Sequence, residues 1–316
     1  VLRPASDARD ALRAASASLL RHGVTGFVPT TLAWPAPELA ARVESLAAAL
    51  GGPGGWPGAE PLGLHLEGPW IRPEAAGAQP AAGIRSIDPA EARALLDRAA
   101  GAVRIVTLAP ELPGSAALLA ELGRRGIVAA LGHTLASPAR IEAAAAAGAR
   151  HVTHLFNAMG PLHQRGPGVA AAVLADDRLS CDVIADGAHV HPAWLRVAAR
   201  VKGERLLLIS DRVDPPAGVT RWVDGAAFTS DGVAWRLSDG RLAGSHLALH
   251  DAVRRCVAWR VMATRHDALR AATLAPARLL GVEAERGTLR VGARADLVLW
   301  GDDGEPLAVW VGGRLA

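Results

Sequence analysis

The sequence predicts an α/β fold: a (β/α)8 TIM-like barrel lacking its first strand in this chain, followed by part of a small β domain. Three observations carry that expectation. Short apolar strands alternate with helical stretches over most of the chain, the pattern of a parallel sheet. Seven such strands precede residue 212, and a closed barrel of this type needs eight. The chain opens in a helix, so the absent strand would be the first.

The elements follow in order. Residues 7–22 have helical spacing, with Ser6 or Asp7 as N-cap and Gly23 closing the end. Val24–Val28 reads as a short strand, and Pro37–Leu50 as a helix ended by the Gly-rich loop 51–55. Strand 62–67 comes next: Leu62, Leu64 and Leu66 alternate with Gly63, His65 and Glu67, so the last three share one face. Asp88-Pro89 caps a helix that runs to about Ala100. Val103–Leu108 is a strand, a helix runs from Ser115 to Gly126, and Ile127–Leu131 is a strand delivering Gly132-His133. Ser137-Pro138 opens a helix closed by Gly148, and His151–His154 is a strand. No element is assigned between there and strand Leu179–Ile184, which leads into Asp186-Gly-Ala-His189. Helix Pro192–Val201 and strand Leu206–Ile209 deliver Ser210-Asp211.

Beyond Asp211, Asp-Gly turns between short β-like runs predict hairpins over about 219–243. Helices are expected at His246–Thr264 and Asp267–Leu280. From Gly287 the chain reads as strands again: 287–291, 295–300 and 308–311, with a turn at Gly312-Gly313. The barrel is therefore placed in residues 1–282 with the hairpin insertion, and the small β domain in 283–316. That domain's other strands would come from elsewhere.

Half of the 316 residues are hydrophobic, enough for a large core, and the net charge is only +3. The basic residues are scattered without interleaved aromatics, which argues against a nucleic-acid partner. No apolar run reaches transmembrane length and no secretory leader pattern is seen, so no membrane partner is expected. Two cysteines, Cys181 and Cys256, are too few for a disulfide framework and suit a reducing, cytoplasmic setting.

The active site of a parallel barrel forms at the C-terminal ends of its strands. Those ends here carry Glu67, His133, His154, His189 and Asp211. One carboxylate and two imidazoles suit a zinc-type catalytic site with a position left for water, whose pKa such an ion lowers to about 7. Asp211, last in order, suits the role of a carboxylate that takes and returns a proton. Each group has a plainer reading: a core histidine, a helix cap, a buried ion-pair partner. Five ionisable groups at five strand ends would, however, be expensive to bury without function. Arg165 lies in a Gly- and Pro-rich loop at the same mouth and suits recognition of an anion such as phosphate. Trp70 and Met159 fit core packing better than a pocket wall. His22, His151, His250 and His266 lack the strand-end context and read as surface or structural.

The segments HLEGPW, LGHT, THLFNAM, PLHQRGPG, DGAHVHP, LISD, LAGS and RGTLRVGARADLVLW, within a match that runs in order from about residue 12 to the C-terminus, resemble the N-acetylglucosamine-6-phosphate deacetylases of the amidohydrolase superfamily. The resemblance implies a metal-dependent barrel with a small β-sandwich domain, in a cytoplasmic homodimer acting on a phosphorylated amino sugar. By position it implies Glu67, His133 and His154 as ligands of a divalent metal, most readily zinc. Asp211 would be the catalytic acid/base and His189 a group near the acetyl carbonyl. Ala78, Asn157, Ala158, Arg165 and Leu242-Ala243-Gly244 would contact substrate.

Departures stand beside the match. The family's first strand, with its frequent His-x-His pair, and the first sandwich strands are missing, so an N-terminal segment before Val1 is expected and a second metal site is left open. Gln79 occupies a position where the family has His. Arg165-Gly-Pro-Gly168 replaces Arg-Glu-Pro-Gly, and Arg212-Val-Asp214 follows Asp211 where small residues are usual. The alternatives are a related amidohydrolase acting on another N-acyl amino-sugar phosphate or a cyclic amide, or a non-catalytic relative.

Overall fold

The computed structural model describes residues 8–215 and 218–316; the predicted N-cap at Ser6 or Asp7 lies outside them. The described chain runs α1 (Ala8–Leu20), β1 (Gly26–Phe27), β2 (Thr30–Thr31), α2 (Ala36–Gly51), β3 (Glu60–Pro61), β4 (Leu64–Glu67), α3 (Pro89–Arg98), β5 (Val103–Leu108), α4 (Ser115–Arg124) and β6 (Val128–Leu131). It continues with α5 (Pro138–Ala146), β7 (His151–Val152), α6 (Gly168–Ala175), β8 (Ser180–Ile184), α7 (Pro192–Lys202), β9 (Leu206–Ile209), β10 (Phe228–Ser230), β11 (Ala234–Leu237) and β12 (Leu242–Ser245). Last come α8 (Leu249–Ala258), α9 (Arg265–Ala272), α10 (Leu274–Leu279), β13 (Leu297–Trp300), β14 (Pro306–Val311) and β15 (Arg314–Leu315).

Seven parallel strands form the main sheet in the order β2-β4-β5-β6-β7-β8-β9. Helices connect them, as parallel pairing requires. The sheet curls: Glu67, ending the second strand in this order, and Asp211, just past the last, line one cavity of about 1770 Å³. This is the (β/α)8 architecture one strand short, and among the described residues no strand joins the edges β2 and β9. The expected strands are displaced as well as interrupted: 24–28 keeps only β1, with β2 beyond it, and 62–67 keeps only β4, with β3 before it. β1 pairs with β3, and β2 with β4, all parallel. Gly63 makes the break in the second: at φ +133°, a Cβ there would lie 2.8 Å from the Ala102 carbonyl oxygen.

The core lies between sheet and helices. Leu64, Leu66, Val106, Leu108, Leu131, Val152 and Val183 from the strands are fully buried with Leu39, Leu122, Ile141 and Leu195 from the helices. Burying each large side chain contributes about 1.5–3 kcal/mol before the entropy of ordering it. The barrel interior is partly polar. His65 Nε2 lies 2.7 Å from Thr107 Oγ1, which lies 2.7 Å from Thr153 Oγ1. Burial pushes the pKa of His65 down to about 4, so this ring is neutral at physiological pH.

The predicted caps Asp88 and Ser137 accept the expected backbone N–H groups at α3 and α5. Elsewhere the structure corrects the expectations. Strand β7 is only His151–Val152, because the chain turns at His154, whose φ is +35°. Helix α6 carries no 3.6-residue pattern in its sequence, GVAAAVLA, which is why periodicity overlooks it. The helix expected over 246–264 is shorter: residues up to His246 continue the hairpin sheet, and Arg260 at φ +54° follows the end of α8. The helix expected over 267–280 divides at Thr273. Pro276 offers no N–H, and its ring would crowd the Ala272 carbonyl of a continuous helix. Residues 287–291 are not a strand; Leu289 and Val291 are exposed and no described strand pairs with them.

The hairpins after Asp211 form an antiparallel sheet, β10-β11-β12, and the C-terminal strands another, β13-β14-β15. No helix among the described residues is long and apolar enough to cross a membrane.

Candidate active site

The strand-end expectation places its groups together. Glu67, His133, His154, His189 and Asp211 all line the one cavity. His65 and Glu67 face into it while Leu64 and Leu66 face the core, as the alternation in β4 predicts. His133, His154 and Asp211 follow their strands at positive φ (48°, 35° and 45°), a conformation that turns each side chain off the strand direction and costs about 1–3 kcal/mol for a non-glycine residue.

Glu67 Oε1 lies 3.2 Å from His133 Nε2 and 3.0 Å from His154 Nε2, and the two ring nitrogens are 3.1 Å apart. All three side chains are buried. His133 Nδ1 donates to the Ala75 carbonyl at 2.8 Å, which turns the lone pair of Nε2 toward Glu67 and His154. Three electron-rich atoms then face one point, a repulsive arrangement that a divalent cation converts into ligation. The donor set, one carboxylate and two imidazoles, suits zinc-type ions, and a ligating histidine typically donates its other N–H in just this way. His154 Nδ1 has no such partner among the described residues. In the absence of a cation the protons compensate. Burial opposes a charge on Glu67, but hydrogen bonds from His133 and His154 hold its pKa well below the usual carboxylate range. Burial likewise opposes a charge on His154, but the bond and charge of Glu67 raise it to about 9.

Partners that sequence reasoning passed over hold these groups in place. Asp182 on β8 accepts the His154 backbone N–H, and its other oxygen lies 2.8 Å from His151 Nε2. His151, expected to be surface or structural, is buried, pairs with Asp182 and lines the same cavity. The signal for Asp182 was available: an acidic residue inside the apolar run 180–184. Asp186 accepts the backbone N–H groups of Ala188 and His189 and receives His189 Nδ1–H at 2.6 Å, leaving His189 Nε2 for the cavity. Asp211 has no side-chain hydrogen bond among the described residues. Burial, then the negative charge of Glu67, raises its pKa, which favours a carboxylate that picks up a proton readily.

Gln79 donates to Glu67 Oε2 at 2.7 Å and accepts the Ala33 N–H at 2.8 Å. The hairpin sheet closes over this loop: Trp222 Nε1 donates to the Ala78 carbonyl at 2.8 Å, and Arg241 bonds the Gly77 carbonyl. Leu242, Ala243 and Gly244 line the cavity, as do Ala78, Asn157 and Ala158. Gly244 has a structural cause of its own, since at φ +98° a Cβ would lie 2.5 Å from Val213 Cγ2. Arg165 sits apart, on the exposed stretch 161–167 and off the cavity wall, its backbone N–H bonded to His163 Nδ1. Arg212 is turned to Asp214 and the His246 carbonyl. Trp70 is buried core and Met159 packs against it. His250 is buried against Glu305, with His22 stacked on it, while His266 is exposed.

The chain is similar to known proteins along almost its whole length. The N-acetylglucosamine-6-phosphate deacetylase of Homo sapiens is 38% identical over 311 residues, covering 94% of this chain and 74% of that protein. The N-acetylgalactosamine-6-phosphate deacetylase of Escherichia coli O157:H7 is 35% identical over 314 residues, covering 98% and 82%. The crystal structure of the N-acetyl-D-glucosamine-6-phosphate deacetylase from Mycobacterium smegmatis superposes with a TM-score of 0.88 at 36% identity, over 97% of this chain and 81% of that one. Residues 2–316 match the model of the amidohydrolase family. With these likenesses over almost its whole length, the chain belongs to the amidohydrolase family, whose members are metal-dependent hydrolases.

Proposed function

We propose that this chain removes the N-acetyl group from N-acetylglucosamine 6-phosphate, consuming water and releasing acetate and glucosamine 6-phosphate. One observation carries the reading: Glu67, His133 and His154 converge within 3.2 Å in the cavity that Asp211 and His189 also line. The deacetylase relatives support the substrate class.

In this reading Glu67 Oε1, His133 Nε2 and His154 Nε2 hold a divalent ion, zinc by its preference for such donors. When bound, the ion supplies a water of lowered pKa and polarises the acetyl carbonyl. Asp211 accepts the proton of the attacking water and passes it to the departing amine nitrogen. His189, its ring fixed through Nδ1–H by Asp186, presents Nε2 to the carbonyl side, where a doubly protonated ring would donate to developing negative charge. Asn157, Ala158, the 242–244 strand and the Ala78 backbone line the sugar. Arg165 reaches the phosphate once substrate is present. The residue ranges 1–282 and 283–316 are the proposed barrel and small β domains. The setting is a cytoplasmic homodimer; two free, buried cysteines fit a reducing compartment.

Metal analysis combined with acetate release from N-acetylglucosamine 6-phosphate tests the proposal. One zinc per active chain and stoichiometric acetate are expected. No bound ion and no acetate from the protein would sink it. The relative named an N-acetylgalactosamine-6-phosphate deacetylase motivates a second reading, the C4 epimer as substrate, and a higher kcat/KM for N-acetylgalactosamine 6-phosphate would select it.

A further inference from the structure

We propose that Gln79 is a positioning residue that makes Glu67 a single-oxygen metal ligand. The inference rests on the metal reading above and concerns how this chain aims its carboxylate.

Gln79 is 5% exposed and Glu67 8%, so protein groups supply most of the partners of both amide and carboxylate. The amide is tied at both ends. Its Oε1 accepts the Ala33 backbone N–H at 2.8 Å, and its Nε2 donates to Glu67 Oε2 at 2.7 Å. A backbone N–H only donates and a carboxylate only accepts, so both ends demand the same orientation of the amide. Flipping it would break two buried hydrogen bonds at once. Gln79 therefore reads the carboxylate's two oxygens as different. Oε2 is engaged by the amide, and Oε1 is left facing His133 Nε2 and His154 Nε2 at 3.2 and 3.0 Å.

The anchor behind the amide is equally fixed. Gln79 N donates to the Ala76 carbonyl at 3.0 Å. The clamp thus runs from the loop after β2, through an uncharged side chain, to the carboxylate. An amide does not titrate in the physiological range, so the Gln79 side of the clamp carries no pH dependence there.

The test compares purified full chains: wild type, Gln79→Met and Trp222→Phe. Gln79→Met keeps length and removes both bonds. Trp222→Phe loosens the same loop without touching Glu67. Zinc affinity is read by chelator competition, and the ligand field by the visible spectrum of the cobalt-substituted protein. Gln79→Met is expected to bind zinc about 10–100-fold more weakly, the usual effect of losing a partner that orients a ligand, and to change the cobalt spectrum. Trp222→Phe is expected to match wild type in both readouts. Wild-type affinity and spectrum in Gln79→Met would overturn the proposal, as would equal loss in both variants, which would mark a merely structural loop. If Gln79→Met does not fold, Gln79→Asn, too short to reach both partners, is judged by the same outcomes. A wild-type chain that binds no ion overturns the metal reading and this inference with it; a wild-type-like Gln79→Met overturns this inference alone.

Discussion

Glu67, His133 and His154 stand at strand ends, nine-tenths buried, while Arg165 stands on an exposed turn with no side-chain partner among the described residues. The first group is tied to the core by Gln79, the Ala75 carbonyl and Asp182. In the proposed reading the second is ordered by a ligand. A preorganised group adds nothing to the cost of reaching the transition state, whereas a group ordered on binding spends part of its interaction energy on its own entropy. The strand-end groups should therefore govern turnover, and the loop should govern how much substrate is needed.

The largest expected effect comes from removing the proton carrier at the buried end. Asp211→Asn should lower kcat by about 10²–10⁴-fold while zinc content stays at the wild-type value. Steady-state kinetics beside metal analysis checks it, and near-wild-type kcat would end the distinction between the two ends. Next comes the loop. Arg165→Ala should raise KM for the phosphorylated sugar by about 10-fold or more with kcat nearly unchanged, the size expected for a lost charge-assisted hydrogen bond. An unchanged KM would remove Arg165 from phosphate recognition and leave the loop without a role in the site.

A smaller effect separates the ends by stability alone. In chelated protein the pKa of His154 is raised to about 9, against burial, by its bond to Glu67. A pKa raised above the unfolded value of about 6.5 stabilises the fold fully below that pH, and the contribution fades as pH climbs through about 9. Melting curves of chelated protein should therefore shift down by a few degrees across that window. Zinc should flatten the dependence, since an ion then takes the proton's place. Arg165→Ala should follow the wild-type curve throughout, and a departure from it would mean the loop is coupled to the centre before substrate binds.

Much of this was legible in sequence because strand-end chemistry leaves a local mark: a charged or imidazole side chain directly after a short apolar run, as at Glu67, His133 and Asp211. The parallel sheet was legible for the same reason. Its exceptions have physical causes. Helix α6 is apolar all round, so it has no periodicity to read. The stretch 287–291 alternates like a strand but has no described strand to pair with. The supports of the centre are hard to read because they act across the fold. Nothing local connects Gln79 to Ala33, or Asp182 to His154, until β2, β4, β7 and β8 are laid side by side. The turn from strand to site at His154 was also hidden, since left-handed backbone in a histidine follows from tertiary restraint rather than propensity.

The left-handed conformations of His133, His154 and Asp211 carry a consequence for engineering this molecule. Glycine is the residue that such backbone prefers, and a stability screen should favour it there. In the proposed mechanism each such gain would delete a ligand or the proton carrier. Fold robustness and turnover are thus set against each other at three named positions, and thermostabilising substitutions belong on the helices, where no such trade-off has to be made.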